Sequence, residues 1–153
     1  WVEKRKPPVA KLRGAKFNSE MELSVYAFPK DEKEVVRIGR TPSPTLLFIP
    51  PDHYWYVKPS SPVDWEALAR EIRKKKIVGL QFPRDTMEAD LAHLEGLRSL
   101  RYLDLSETEV TDEGLKHLSG LKNLDIVDLR RTKTTSSGKQ DLKEKLPGVQ
   151  ILH

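Results

Sequence analysis

The 153-residue sequence predicts an α/β fold: a short solenoid of about four rungs, parallel strands with outer helices, entered through a capping helix and a small β-rich N-terminal region. Three observations carry that expectation. The segment HLEGL at His93–Leu97 recurs as HLSGL at His117–Leu121, a period of 24 residues. The segment that follows each, from Leu100 to Val110 and again from Leu124 to Thr134, keeps its apolar positions and its turn residues in step. Self-similarity at such a period is the signature of stacked supersecondary units, none of which can bury its apolar face alone. Hydrophobic residues are 37% and charged residues 33% of the chain, too apolar for a disordered protein, so a packed core is expected.

Residues 1 to 16 are expected to be a flexible basic lead-in. They hold six Lys/Arg against one Glu, with Pro7, Pro8 and Gly14 and little apolar content. Residues 17 to 60 carry a net charge of −1 and residues 61 to 153 are neutral, so the basic balance of the chain belongs to the lead-in. A neutral body argues against a broad nucleic-acid groove, which needs a basic face. Trp1 followed by Lys4, Arg5 and Lys6 is the pattern that flanks the cytoplasmic end of a membrane helix. An arbitrary boundary of the piece is the plainer reading. No run approaches the roughly 18 apolar residues of a membrane span. The expectation is a soluble domain of unknown compartment, meeting a membrane only through a segment before Trp1 or through the basic tail.

Residues 17 to 60 read as a small β-rich region. Glu22–Phe28, Glu34–Ile38, Thr45–Ile49 and Tyr54–Val57 are rich in β-branched and aromatic residues, and Pro29-Lys30-Asp31, Arg40-Thr41-Pro42 and Pro50-Pro51-Asp52 supply turn chemistry between them. The run PDHYWYVKP places Tyr54, Trp55 and Tyr56 together beside His53 and Lys58. In a strand Tyr54 and Tyr56 share one face and Trp55 and Val57 the other. Packing on both faces is the favoured reading, and a partner platform the second.

A capping helix is expected over residues 61–76, with Ser61 as N-cap, Pro62 in the first helical position and Asp64 as capping-box partner. Trp65, Leu68, Ala69 and Ile72 form one apolar stripe. Lys74, Lys75 and Lys76 suit the negative end of the helix dipole better than they suit a nucleic-acid site.

The remaining chain, residues 61–153, is expected to be the repeat domain. A degenerate copy runs from Ile77 to Met87 and a truncated one from Leu146 to Ile151, so strand starts fall near 77, 100, 124 and 146. The pattern L-x-x-L-x-L-x-x-T-x-V and the segment Thr111-Asp112-Glu113-Gly114-Leu115-Lys116-His117-Leu118 resemble bacterial leucine-rich repeat proteins whose repeats continue T-D-x-G-L. The resemblance covers about 61–153, with an eroded T-D-x-G-L at 134–141, and it implies a leucine-rich repeat solenoid acting as an interaction module. Within each unit Leu103 with Leu105, and Val127 with Leu129, are expected to point inward from a short strand, and Thr108 and Thr132 to bind backbone where the chain turns.

The residues between them are then expected on the concave face. Gln81, Asp104, Asp128 and Gln150 form a column there, with Tyr102 and Ile126 as an apolar pair and Arg130 at the strand end. This is the first candidate binding surface; Tyr54, Trp55 and Tyr56 are the second. The Asp104–Asp128 pair recurs only because the motif does, on an open face, so catalysis is not expected. His93 and His117 lack a third ligand at metal-site spacing, and His53 and His153 are isolated. The chain has no cysteine, no Gly-rich phosphate loop and no nucleophile elbow. No enzyme, no metal and no cofactor are expected. The expected function is non-catalytic binding of a protein or peptide. The alternatives are a structural or regulatory subunit of a larger assembly, membrane-tethered or not, and anionic-surface binding through the basic tail.

Overall fold

A computed structural model describes residues 15–17, 19, 21–29, 35–42, 47–49 and 53–153. The strands run β1 (Ala15–Phe17), β2 (Leu23–Pro29), β3 (Val36–Thr41), β4 (Leu47–Ile49) and β5 (His53–Pro59). After helix α1 (Trp65–Lys75) come β6 (Gly79–Gln81), β7 (Tyr102–Asp104), α2 (Asp112–Lys116), β8 (Ile126–Asp128), α3 (Ser136–Lys145) and β9 (Gln150–Leu152). Two 3-10 helices, Glu88–Leu94 and His117–Gly120, complete the connections.

Seven of these strands form one sheet in the order β3-β2-β5-β6-β7-β8-β9, while β1 and β4 make a separate antiparallel pair. β2 runs antiparallel to both β3 and β5, and from β5 to β9 every neighbour is parallel. This mixed sheet corrects the expected α/β leucine-rich repeat solenoid with a separate β-rich region. The β-rich segment and the repeating segment share a sheet, joined where Val57 faces Leu80, and the helices are few and short, giving an α+β arrangement. The physical reason lies at the edge of β6: a strand with an unpaired ladder and an apolar face calls for a neighbour, and β5 supplies it.

The antiparallel end follows from alternation. Leu23, Val25 and Ala27 point into the core from β2, opposite Val57 and Trp55 of β5. A bulge between Val25 and Tyr26 shifts the pairing with β3. Thr41, expected in a turn, instead ends β3 as a buried residue: its hydroxyl donates to the Met21 carbonyl at 2.6 Å and accepts from the Leu23 N–H at 3.2 Å. Of the expected flexible lead-in, residues 1–14 lie outside the described residues. Ala15 and Lys16 are corrected to strand, paired with Ile49 and Phe48. The turns at Lys30-Asp31 and Pro50-Pro51-Asp52 also lie outside the described residues.

α1 starts three residues later than expected. Asp64, not Ser61, is the N-cap, accepting from the Ala67 N–H at 2.9 Å, and the Ser61 hydroxyl donates to Asp85 instead. Leu68, Ala69 and Ile72 are its buried face. Lys76 closes the helix in the left-handed region at φ 55°, its N–H donating to the Ile72 carbonyl.

The parallel end is a ladder whose register advances by 23 or 24 residues: Gly79, Tyr102, Ile126 and Gln150 stand level, as do Leu80, Leu103, Val127 and Ile151. The second row is core, together with Leu91, Leu94, Leu115, Leu118 and Leu142 from the helical segments. Each strand is only three residues long, and side chains hold the turns between them. Thr108 and Thr132 hydroxyls donate to the Leu105 and Leu129 carbonyls, three residues back in each case. Thr111 caps α2 and Thr135 caps α3. The same threonines reach across to the preceding unit: Thr111 donates by backbone and hydroxyl to Glu88, and Thr135 does the same to Asp112. Those bonds hold the Asp112 carboxyl below its ordinary range.

Candidate binding surface

One face of the seven-stranded sheet carries the core and the helices. On the other, cross-strand pairing brings two rows of side chains together. In the first row Arg37, Tyr26, Tyr56, Gly79, Tyr102, Ile126 and Gln150 follow one another across all seven strands. In the second, Arg40, Ser24 and Lys58 lead to Gln81, Asp104, Asp128 and Leu152.

The first row is aromatic at its centre. Tyr26 and Tyr56 stack with ring centroids 5.2 Å apart and planes 15° from parallel, and Tyr56 meets Tyr102 at 5.6 Å with a 47° tilt. Tyr56 and Tyr102 are not on adjacent strands; β6 lies between them. They meet because the residue between is Gly79, where an added Cβ would stand 2.6 Å from the Tyr56 Cβ and 2.7 Å from the Trp55 carbonyl oxygen. Flanked on both sides, Tyr56 is 8% exposed, while Tyr26, Tyr102 and Ile126 remain half-buried. Burial foremost, with the Asp104 charge second, pushes the Tyr56 hydroxyl up to about 12 and raises Tyr102 further.

The expected column of solvent-facing carboxylates needs correcting. Asp104 and Asp128 are 8% and 1% exposed because each turns along its strand to close the following bend. Asp104 accepts from the Ser106 N–H at 2.9 Å and hydroxyl at 2.6 Å, and from the Gln81 amide at 2.9 Å. Asp128 accepts from the Arg130 N–H at 3.1 Å and from its guanidinium at 2.9 Å and 2.5 Å. This pairing raises the Arg130 guanidinium still higher. The two carboxylates are therefore occupied as strand caps. Gln81, Tyr102, Ile126 and Gln150 do share the face and are half-buried, and Arg130 stands at its rim with its side chain 61% exposed.

The second candidate surface divides between the two sides. Trp55, 5% exposed, belongs to the core, and Tyr56 joins the tyrosine row, so the two do not form an exposed platform together. Tyr54 pairs with Phe28 along the backbone, and its side chain lies outside the described residues. Sequence reasoning missed Tyr26, Arg37 and Arg40 on this face, and named Lys58 only as a neighbour of the Tyr54–Tyr56 run. The alternation of Leu23, Val25 and Ala27 with Ser24 and Tyr26 was the available signal; the register that sets Tyr26 against Tyr56 has none.

No group of three or more metal-ligating side chains occurs among the described residues. Open hollows among the described residues lie elsewhere. One of about 260 Å³ lies between α2 and α3 beside Asp112 and Lys145, and one of about 170 Å³ lies beside Lys139, Lys143 and His153. Among the described residues no helix is long and apolar enough to cross a membrane.

No protein-family model matches the chain, and no curated protein matches it. Among solved structures, a similar chain comes from the structure of Chaetomium Mex67:Mtr2 subunits, at 18% identity and a TM-score of 0.48, the match covering 57% of this chain and 66% of that one.

Proposed function

We propose that the protein is a non-catalytic recognition module that binds a protein or peptide across the tyrosine-bearing face of its sheet. The observation that carries this reading is the Tyr26–Tyr56–Tyr102 row continuing to Ile126 on a face to which the described helices contribute no core residue. Aromatic side chains with a polar tip are the usual anchors of interfaces, since they supply large contact area at low entropic cost. The Asp104 and Asp128 caps and the packed ring row hold this surface in place before any partner arrives, which lowers the ordering cost of binding.

The test is a selection of displayed random peptides on the whole chain, beside a Tyr102→Ala variant whose fold is checked by circular dichroism. The reading expects peptides retained by the parent chain and lost by the variant. Peptides retained equally by both would remove the tyrosine face from the account.

A second reading has its own observation. Val35 and Val36 are each 50% exposed, and Val36 lies in the edge strand β3. An exposed apolar edge suits a structural subunit that pairs with another chain. Sedimentation of the chain over a concentration series tests it: self-association lost on Val36→Lys would favour the assembly role. Anionic-surface binding through the basic tail rests on residues 1–14, outside the described residues.

A further inference from the structure

The sheet face is not uniform in charge. At its β3 end, Arg40 and Lys58 stand on either side of Ser24, and Arg37 stands beside Tyr26 in the neighbouring row. Arg37 and Arg40 are exposed and Lys58 is half-buried. None of the three makes an ion pair among the described residues. At the other end the charges are spent: Asp128 is bonded to Arg130, and Asp104 to Ser106 and Gln81. Across the strands the face therefore runs from Arg37 and Arg40 on β3, through Tyr26 on β2 and Tyr56 with Lys58 on β5, to Tyr102 and then Ile126, with no ion pair to the three cations among the described residues.

We infer that the occupant of this face is a peptide segment with an acidic head and an apolar tail, lying extended across the strands with its carboxylates over Arg37 and Arg40 and within reach of Lys58, and its apolar side chains along the half-buried Tyr26, Tyr102 and Ile126 that flank the buried Tyr56. This rests on the recognition reading above and adds the chemistry of the partner. The dimensions follow from the sheet. Four strand steps separate the β3 cations from Tyr102 and five separate them from Ile126, about 19 Å and 24 Å at the usual strand spacing. An extended chain advances about 3.3 Å per residue, so about six or seven residues reach from the cations to the apolar end. Arginine holds a carboxylate with two parallel hydrogen bonds, and a partly exposed cation cluster adds steering and register to the affinity that the aromatic anchors supply.

The experiment sequences the displayed peptides retained by the whole chain, then titrates the enriched peptide, made synthetically, against three proteins: the parent chain, an Arg37→Glu/Arg40→Glu variant and a Tyr102→Ala variant. Both arginines are exposed, and circular dichroism confirms each fold. The inference expects Asp or Glu clustered at one end of the enriched peptides and Leu, Phe, Tyr or Trp at the other. It expects an affinity that weakens about tenfold on charge reversal and falls as salt rises. Peptides without acidic bias, unmoved by charge reversal yet lost in Tyr102→Ala, would overturn the acidic head and leave the recognition reading standing. Absence of any enriched peptide would overturn both. Adsorption to phosphatidylserine vesicles that Arg37→Glu/Arg40→Glu abolishes, with no peptide enriched, would replace the peptide by a lipid surface.

Discussion

The two ends of the sheet bury similar aliphatic residues on the same side, but they are held together differently. At the antiparallel end β2 pairs along all seven of its residues with β5, and the backbone ladder itself sets the geometry. At the parallel end each strand is three residues long, and the stack depends on side chains in the turns: Thr108 and Thr132 on the carbonyls behind them, Asp104 and Asp128 on the residues ahead, and the Thr111–Glu88 and Thr135–Asp112 clamps between units. Short parallel strands gain little from their ladder alone, so capping chemistry repeats there with every unit. The tyrosine-bearing face proposed for binding inherits both devices, with the β2–β5 register stacking Tyr26 on Tyr56 and the turn caps fixing the strands that carry Tyr102 and Ile126.

The comparison sharpens into a ranking of perturbations. The largest effect is expected at the shared core. Leu103 is fully buried, and Leu103→Ala is expected to cost about 2–5 kcal/mol. Denaturant titration followed by both circular dichroism and tryptophan fluorescence should show one coincident transition, because the sheet runs unbroken from β3 to β9. Two separated transitions would mean that the ends fold as independent units.

Gly79 stands at the junction. Gly79→Val forces a side chain against the Tyr56 Cβ and the Trp55 carbonyl, an overpacking expected to cost about 1–3 kcal/mol. Unlike Leu103→Ala, it should also part Tyr56 from Tyr102, seen as a change in near-ultraviolet circular dichroism. The cap of α1 comes next: Asp64→Ala is expected to cost about 1 kcal/mol, and Ser61→Ala less, since Asp64 and not Ser61 accepts from the helix N-terminus.

A gentler probe is alkaline pH. Tyr56 titrates near 10 in an unfolded chain and near 12 in the fold, so the folded state keeps a proton that the unfolded state releases. Its contribution to stability is complete below pH 10 and is lost as pH rises toward about 12. Ultraviolet titration of tyrosinate should show Tyr56→Phe removing a late-ionising group, and the loss of stability above pH 10 should be shallower in that variant.

Much of the parallel end was legible because a repeat states its register twice. His93–Leu97 against His117–Leu121 fixes the offset, and the level rows of β6 to β9 follow it within a residue or two. The antiparallel end states nothing twice. Its alternation identifies Leu23, Val25 and Ala27 as inward, but the pairing of Tyr26 with Tyr56 depends on a bulge and on connections that leave no pattern in the residues. The junction of β5 with β6 was hidden for the same reason, and with it the single mixed sheet. At the site, outward alternation set Gln81, Tyr102, Ile126 and Gln150 on the face where they stand, but it put Gln150 in the column of Gln81, Asp104 and Asp128, whereas Gln150 is level with Tyr102 and Ile126 and Leu152 completes that column. It misjudged Asp104 and Asp128, because a short carboxylate at a strand end can turn back to bind N–H groups two residues ahead, and spacing alone does not distinguish that from an acid facing solvent.

The most direct test of the central claim, a binding face built jointly by the two ends of one sheet, is the affinity of an enriched peptide for Tyr26→Ala and Ile126→Ala, measured by isothermal titration at fixed salt. Tyr26 belongs to the antiparallel end and Ile126 to the parallel end. The account predicts that each substitution weakens binding, Tyr26→Ala about tenfold and Ile126→Ala by a smaller but measurable factor. Binding that one substitution abolishes while the other leaves unchanged would contradict it, confining recognition to one end of the sheet.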